Sequence, residues 1–567
     1  MVLWQEEAYT RTDAAGNPRS FGQYAEQAPR TSRWQWMTKS DAQLYAVTGA
    51  GFFLDSYDLF IVNLVTPIWT YEYWGGLQDR SPHYPPLLRG LVNAAANLGN
   101  IVGQLSFGYL GDTYGRRFVY GNELIIGMVG IVMCIALPNS IPTPNLKMAW
   151  IFCWRFVLGI GIGGDYPISA AIMAERAHLK RRGQMLGWIF SNQGWGNLTG
   201  SIITLILLAC FSQALSQEKH YSQLDAVWRL QIGLALIPAL ITLYPRLTMP
   251  EGKKYLESRE LNRSPRPDSE NSTRSRSTVQ SRKSRGKSMD VELIVSDGQG
   301  LQAQIDAARA DMDAQGQRAR FDVFLVYFRE WRHLKTLIGT ASTWFLLDVA
   351  FYGTNLNQSV ILSEIGYSSG KDEFDMLRRN AIGNIILAVA GYVPGYFVTI
   401  YFIEKLGRRW IQIQGFLITA LLFAILAGGY HHIGTAGKFV CLAFTQFFFN
   451  FGANTTTFII PAEVFPSRVR GFAHGASAAA GKTGAILSAL LFNYLSGGGG
   501  GGNGGNGGRG EHGGNGVMGL RGVLWVFASC CLAGAGITVW AVPETRGRDA
   551  DAVDWEEWLE KNIGVVG

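Results

Sequence analysis

The sequence predicts an all-α membrane protein with twelve transmembrane helices in two six-helix halves. Three observations predict it. Apolar runs near the roughly 20 residues that cross a bilayer recur along the whole chain. Only 16% of the 567 residues are charged while 48% are hydrophobic, against roughly 25% charged in soluble domains. A soluble chain this long would split into two or three cores with scattered apolar runs. Finally, three unrelated motifs recur at nearly one offset, as set out below.

A polar tail, 1–40, precedes the N-terminal half, 41–248. Because these first residues are polar and the first apolar run outlasts a signal-peptide core, no cleavable signal is expected. Span 1 covers 42–69 and holds "GFFLDSYDLFIVNL"; span 2, 88–111, runs into "GDTYGRR"; span 3 is 118–138. Span 4, 147–173, contains "GIGIGGDYPISAAIMAE"; span 5 is 183–211, and span 6, 226–246, leaves through "MPEGKK". The segment 249–335 reads as a cytoplasmic linker, largely disordered, because its Arg/Ser and Ala/Asp/Gln stretches are too polar to bury a core. Ser284 and Ser288 lie beside basic residues there, a pattern that suits kinase action and equally a solvated charge run. Asn271 heads an Asn-Ser-Thr pattern in the same segment, where glycosylation is not expected. The C-terminal half, 336–541, contains span 7 (336–362), span 8 (379–404), span 9 (411–430), span 10 (436–463), span 11 (471–496) and span 12 (520–541). A glycine-rich run, 497–516, reads as a flexible external loop between spans 11 and 12, and 542–567 is a cytoplasmic tail.

Lys and Arg at the span ends set the orientation. Arg116 and Arg117, the cluster Lys180, Arg181 and Arg182, then Arg408, Arg409, Arg468 and Arg470 all fall on one side, with both termini and the central segment. That side is expected to be cytoplasmic, and the plasma membrane is the expected location. The six cysteines lie in or beside spans, so none builds an extracellular disulfide framework.

The repeat carries the argument for two halves. "GDTYGRR" after span 2 returns as "IEKLGRR" after span 8; "PISAAIMAERAHLKRRG" at the end of span 4 returns as "PAEVFPSRVRG" after span 10; "MPEGKK" after span 6 returns as "VPETRGR" after span 12. The matched positions are 292, 288 and 293 residues apart, which points to a duplicated six-span unit. The paired acidic-x-x-Gly-Arg-Arg loops resemble the signature of the major facilitator superfamily. That resemblance implies two parallel halves that rock about a site near the midplane.

Charges inside hydrocarbon are the candidates for function, since each costs roughly 2.5–3.5 kcal/mol at the bilayer centre unless it faces a cavity or a partner. Span 1 carries Asp55 and Asp58 on one helix face, span 4 carries Arg155 and Asp165, span 7 carries Asp348, and span 11 carries Lys482. Pairing of Asp55 or Asp58 with Arg155 as a structural lock is one reading; Lys482 as counter-ion for a neighbouring helix is another. Asp348, with Trp344 and Tyr352 four residues to either side, reads as an unscreened carboxylate on an aromatic binding face. The glycines of 159–164 follow a helix rather than a strand, and "GKT" at 481–483 has Ala476 where a phosphate loop needs glycine, so neither is a nucleotide site. No metal-ligand cluster or Ser/His/Asp arrangement stands out, and His431 and His432 sit at an external helix end. An enzyme, a cofactor and a nucleic-acid partner are therefore not expected.

"GGDYPISAAIMAE" closely resembles the signature of the phosphate/proton symporters of fungi and plants, and "SNQGWGN", "FLLDVAFYGTNLNQS" and "FGANTTTFIIPAEVFPSRVRG" extend the resemblance from span 1 to span 12. Ala453 departs from it where proline is common. The resemblance implies phosphate held by Tyr166, Gln193, Trp344, Asp348, Tyr352 and Asn454 with Lys482 nearby, and proton handling by Asp55, Asp58 and Asp165 with Arg155 beside them, and Asp348 is expected to take part in proton coupling as well. The chemistry agrees: an ionised carboxylate only accepts hydrogen bonds, so Asp348 suits an anion that brings a proton to share, as phosphate does and sulfate does not. A sugar/proton symporter, a glycerophosphodiester permease and a nutrient receptor with little net transport are the other readings.

Overall fold

Each of the twelve apolar stretches forms a helix or a set of helices end to end. The computed structural model describes residues 39–74, 84–177, 179–213, 215, 221–249, 321–368, 372–495, 519–551, 553 and 554. The N-terminal tail, most of the central segment with Asn271, Ser284 and Ser288, the glycine-rich run and the chain's last residues lie outside these. Among the described residues there is no strand.

Spans 1, 2, 4 and 5 are the single helices Lys39–Trp74, Pro86–Tyr114, Pro144–Arg176 and Arg182–Cys210. Spans 9, 11 and 12 are Arg408–Gly428, Arg470–Leu495 and Gly519–Ala541. The others are interrupted: span 3 (Arg116–Val119, Asn122–Ile135), span 6 (Leu224–Gly233, Leu236–Leu247), span 7 (Trp331–Asn355, Gln358–Glu364) and span 10 (Thr435–Asn450, Ala453–Val464). Span 8 passes through a π-turn at Ala388–Tyr392 between Glu373–Leu387 and Val393–Leu406. Nine described helical stretches are long and apolar enough to cross a membrane by themselves; spans 2, 7 and 10 are not among them. Span 2 holds buried amides, span 7 holds Asp348 below a charged first turn, and span 10 is broken near Gly452.

The glycines of span 4 are explained by packing. A Cβ on Gly159 would sit 2.0 Å from the Ala96 carbonyl and one on Gly163 2.4 Å from that of Asn100, both on span 2. On the next face, Gly161 lies against Glu123 and Gly127 of span 3. Small residues permit this backbone approach. In the C-terminal half Gly391 and Gly395 of span 8 do the same against span 10. Pro167 does not break span 4, which is one helix from Pro144 to Arg176.

The repeated loops fold alike. Gly115 (φ +96°) and Gly407 (φ +88°) take the same left-handed backbone, which glycine alone adopts without strain. Each sets an arginine against two acids: Arg116 lies 2.8 Å from Glu175 and 3.3 Å from Asp112. Its counterpart Arg408 lies 2.8 Å from Glu463 and 2.6 Å from Glu404. These clusters mark one end of the molecule, the basic face.

The halves meet at both ends of the bundle. At the basic face the Asp112 carboxylate accepts from the Phe472 amide at 2.8 Å, and Arg470 reaches to 4.0 Å from Glu175. At the opposite end Asn63 of span 1 donates to Asn384 of span 8 at 3.0 Å and accepts from the Ser359 amide at 2.8 Å. The short helix Phe321–Phe328, within the stretch that composition reads as linker, packs Phe324 and Phe328 on Phe472 and Phe465 at the basic face.

Candidate functional site

Between the halves, span 11 presents Lys482 to span 7. The ammonium donates to Tyr352 at 2.6 Å and to Asp348 Oδ2 at 3.3 Å, and lies 5.4 Å from the centre of the Tyr166 ring on span 4. All four residues are buried. Asp348 is therefore not the unscreened carboxylate that its own helix suggests: its cation comes from 134 residues further on, where no helical spacing reveals it. Of the two readings of Lys482, counter-ion to a neighbouring helix describes its contacts here.

Trp344, one turn from Asp348, meets His474 edge to face with ring centres 5.5 Å apart. Tyr352 stacks on Phe60 of span 1 at 5.7 Å. Tyr166 joins Phe52, Phe190 and Phe458 in an aromatic wall drawn from both halves. Beside that wall Gln193 Oε1 accepts from Tyr396 at 2.5 Å and from Asn454 at 3.0 Å. Asn454 donates as well to Asn450 at 2.7 Å. Tyr396 and Asn450 are additions that the sequence did not single out; both lie in apolar runs that look like packing. The expected ligands thus form two groups, Trp344, Asp348, Tyr352, Tyr166 and Lys482 in one, Gln193 and Asn454 in the other.

Apart from Asp348, the proton-handling candidates lie in a separate group inside the N-terminal half. Asp165 points away from Tyr166: its Oδ2 meets Arg246 at 2.8 Å and its Oδ1 accepts from Ser169 at 2.5 Å. Arg246 also meets Glu123 at 3.1 Å. Asp55 and Asp58 line the same narrow cavity, and Oδ2 of the first and Oδ1 of the second are buried with no hydrogen bond to a described residue. Arg155 departs from expectation. Among the described residues it meets no carboxylate within ion-pair distance; it donates instead to the main-chain carbonyl of Asp58 at 3.4 Å. The locking arginine is Arg246, which reads in sequence as one more basic residue at a span end. Glu123 is hidden the same way, near the start of span 3. Buried to 1%, both are costly to leave unpaired.

A bundle of two repeated halves with a buried charged site between them defines a membrane transporter. Residues 43–556 match the family described as "Sugar (and other) transporter", and the chain belongs to that family of the major facilitator superfamily. It is a multi-pass membrane protein and not an enzyme. A Schizosaccharomyces pombe relative named as a candidate inorganic phosphate transporter is 51% identical, over 96% of this chain and 93% of its own. The inorganic phosphate transporter PHO84 of Saccharomyces cerevisiae is 38% identical over 78% of this chain and 74% of its own. Among solved structures, the proton:xylose symporter XylE matches with a TM-score of 0.64 at 18% identity, covering 90% of this chain and 98% of that one. At that identity the likeness is one of fold.

Proposed function

We propose that the chain is a proton-coupled importer of inorganic phosphate that works by alternating access, with the anion bound between the halves. The observation that carries this reading is the Asp348–Lys482–Tyr352 cluster, a carboxylate and an ammonium held together beside hydroxyl and amide donors. A phosphate entering here takes over Lys482 from Asp348, while its P–OH group donates to the freed carboxylate. An anion without a proton meets repulsion from Asp348 instead. The names of the fungal relatives support the same substrate.

Proton coupling is assigned to Asp55, Asp58 and Asp165 in the N-terminal half, with Arg155 near Asp58, and to Asp348 at the anion site. The basic face, by the excess of Lys and Arg at its loops, is the cytoplasmic one, with the termini on that side of the plasma membrane. The test is labelled phosphate uptake into vesicles carrying the purified chain, with an inward proton gradient, in competition with sulfate, glucose and glycerophosphodiesters. Phosphate alone is expected to compete, and a protonophore to stop accumulation. Competition by a glycerophosphodiester at equal strength would move the substrate to that class; phosphate binding without uptake would make the chain a receptor.

A further inference from the structure

Span 2 carries a stripe of amides, Asn93, Asn97, Asn100 and Gln104, along one helix face. Asn93 accepts from Thr66 at 3.2 Å. The side-chain oxygens and nitrogens of Asn97, Asn100 and Gln104 are buried, and none makes a hydrogen bond to a described residue. A native interior rarely leaves such groups unmet, and three neighbouring amides on one face call for a polar partner from outside the chain.

The register of span 2 on span 11 says what that partner is near. The helices run antiparallel. A Cβ on Gly90 would meet the Ala489 carbonyl at 3.1 Å, one on Gly475 the Gln104 carbonyl at 2.3 Å, and one on Gly108 the Gly471 carbonyl at 2.8 Å. Each step back along span 2 is a step forward along span 11, and this register sets position 97 opposite position 482. The helix faces agree with it. Asn97 lies midway between Gly90 and Gln104, two turns from each, and Lys482 lies midway between Gly475 and Ala489 in the same way.

We propose that Asn97 contacts the transported anion directly, completing the Lys482 site from the N-terminal half. The proposal rests on the phosphate reading above. Span 7 supplies Asp348 and Tyr352 on one side of the ammonium; Asn97 supplies a donor from the other. Its amide accepts as well as donates, so it takes either a phosphate oxygen or a P–OH group.

Asn97→Leu separates this role from a structural one. It removes a partnerless buried amide, so the ligand-free protein should melt no lower than wild type, while KM for phosphate rises about tenfold, the equivalent of 1.4 kcal/mol. The thermal stabilisation given by phosphate should shrink in step. Should Asn97→Leu not fold, Asn97→Asp keeps the shape and sets a negative charge against the anion; KM is expected to rise more than tenfold. Wild-type KM and wild-type phosphate stabilisation in either folded variant overturn the proposal, as does lost stability with KM unchanged. Wild-type protein that takes up no phosphate in the same vesicles fails the functional reading instead, before any variant is compared.

Discussion

At the scale of residues, the proposed chemistry of the site turns on one exchange of partners. Asp348→Asn leaves Lys482 without its carboxylate but keeps the side chain's shape. Phosphate binding should survive, since the ammonium is free for the anion, while uptake falls about 100-fold, two steps of roughly 1.4 kcal/mol in the barrier. Parallel measurement of phosphate binding and of uptake against pH checks this; wild-type uptake would leave Asp348 a structural charge. Gln193→Ala removes the acceptor shared by Tyr396 and Asn454. It is expected to weaken phosphate binding by about 1–3 kcal/mol, the loss of a buried hydrogen bond to the anion, which titration of the purified variant measures. The individual carboxylates were legible in the sequence because acids stand out in apolar runs. Which charge meets which was not: Asp348 and Lys482 lie on different spans, and Arg246 and Glu123 sit near span ends, where charge is ordinary.

At the scale of elements, the glycines of one helix differ in what they do. Gly103 of span 2 has the Ile160 carbonyl 2.2 Å from where a Cβ would sit and the Gly163 backbone at 2.9 Å. Backbone cannot give way as a side chain can, so Gly103→Ala should cost about 1–3 kcal/mol as the two helices are pushed apart. Gly111, eight residues on, has only a side-chain carbon of Ile168 at 3.7 Å, an ordinary contact. Gly111→Ala should leave stability unchanged or raise it by up to about 1 kcal/mol through helix propensity. Melting of the two variants in detergent compares them directly. The twelve spans were legible because length and apolarity alone mark a crossing. The breaks within spans 3, 6, 7 and 10 were not, nor was the helix Phe321–Phe328, eight residues at the edge of a polar segment. Such details depend on what packs against them.

At the scale of the whole molecule, the two halves are held at both ends by different chemistry. Asp112 belongs to the ion cluster of its own half and reaches across to the Phe472 amide. Asp112→Asn keeps an acceptor for that amide but weakens its hold on Arg116. Equilibrium phosphate binding should stay within twofold of wild type while the uptake rate drops about tenfold, as paired binding and flux measurements would read. Equal losses in both would mean that the substitution damages the site itself.

The ends of the bundle carry one more consequence. With Asn63 fastened to Ser359 and Asn384 at one end, and Asp112 to Phe472 at the other, Asp348 and Lys482 are reached from neither compartment, each being 1% exposed. On the proposed alternating-access reading, a membrane protein shut at both ends is an airlock rather than a pipe. It short-circuits no gradient while it waits, so a cell can keep many copies in place without draining the ion gradients across the membrane.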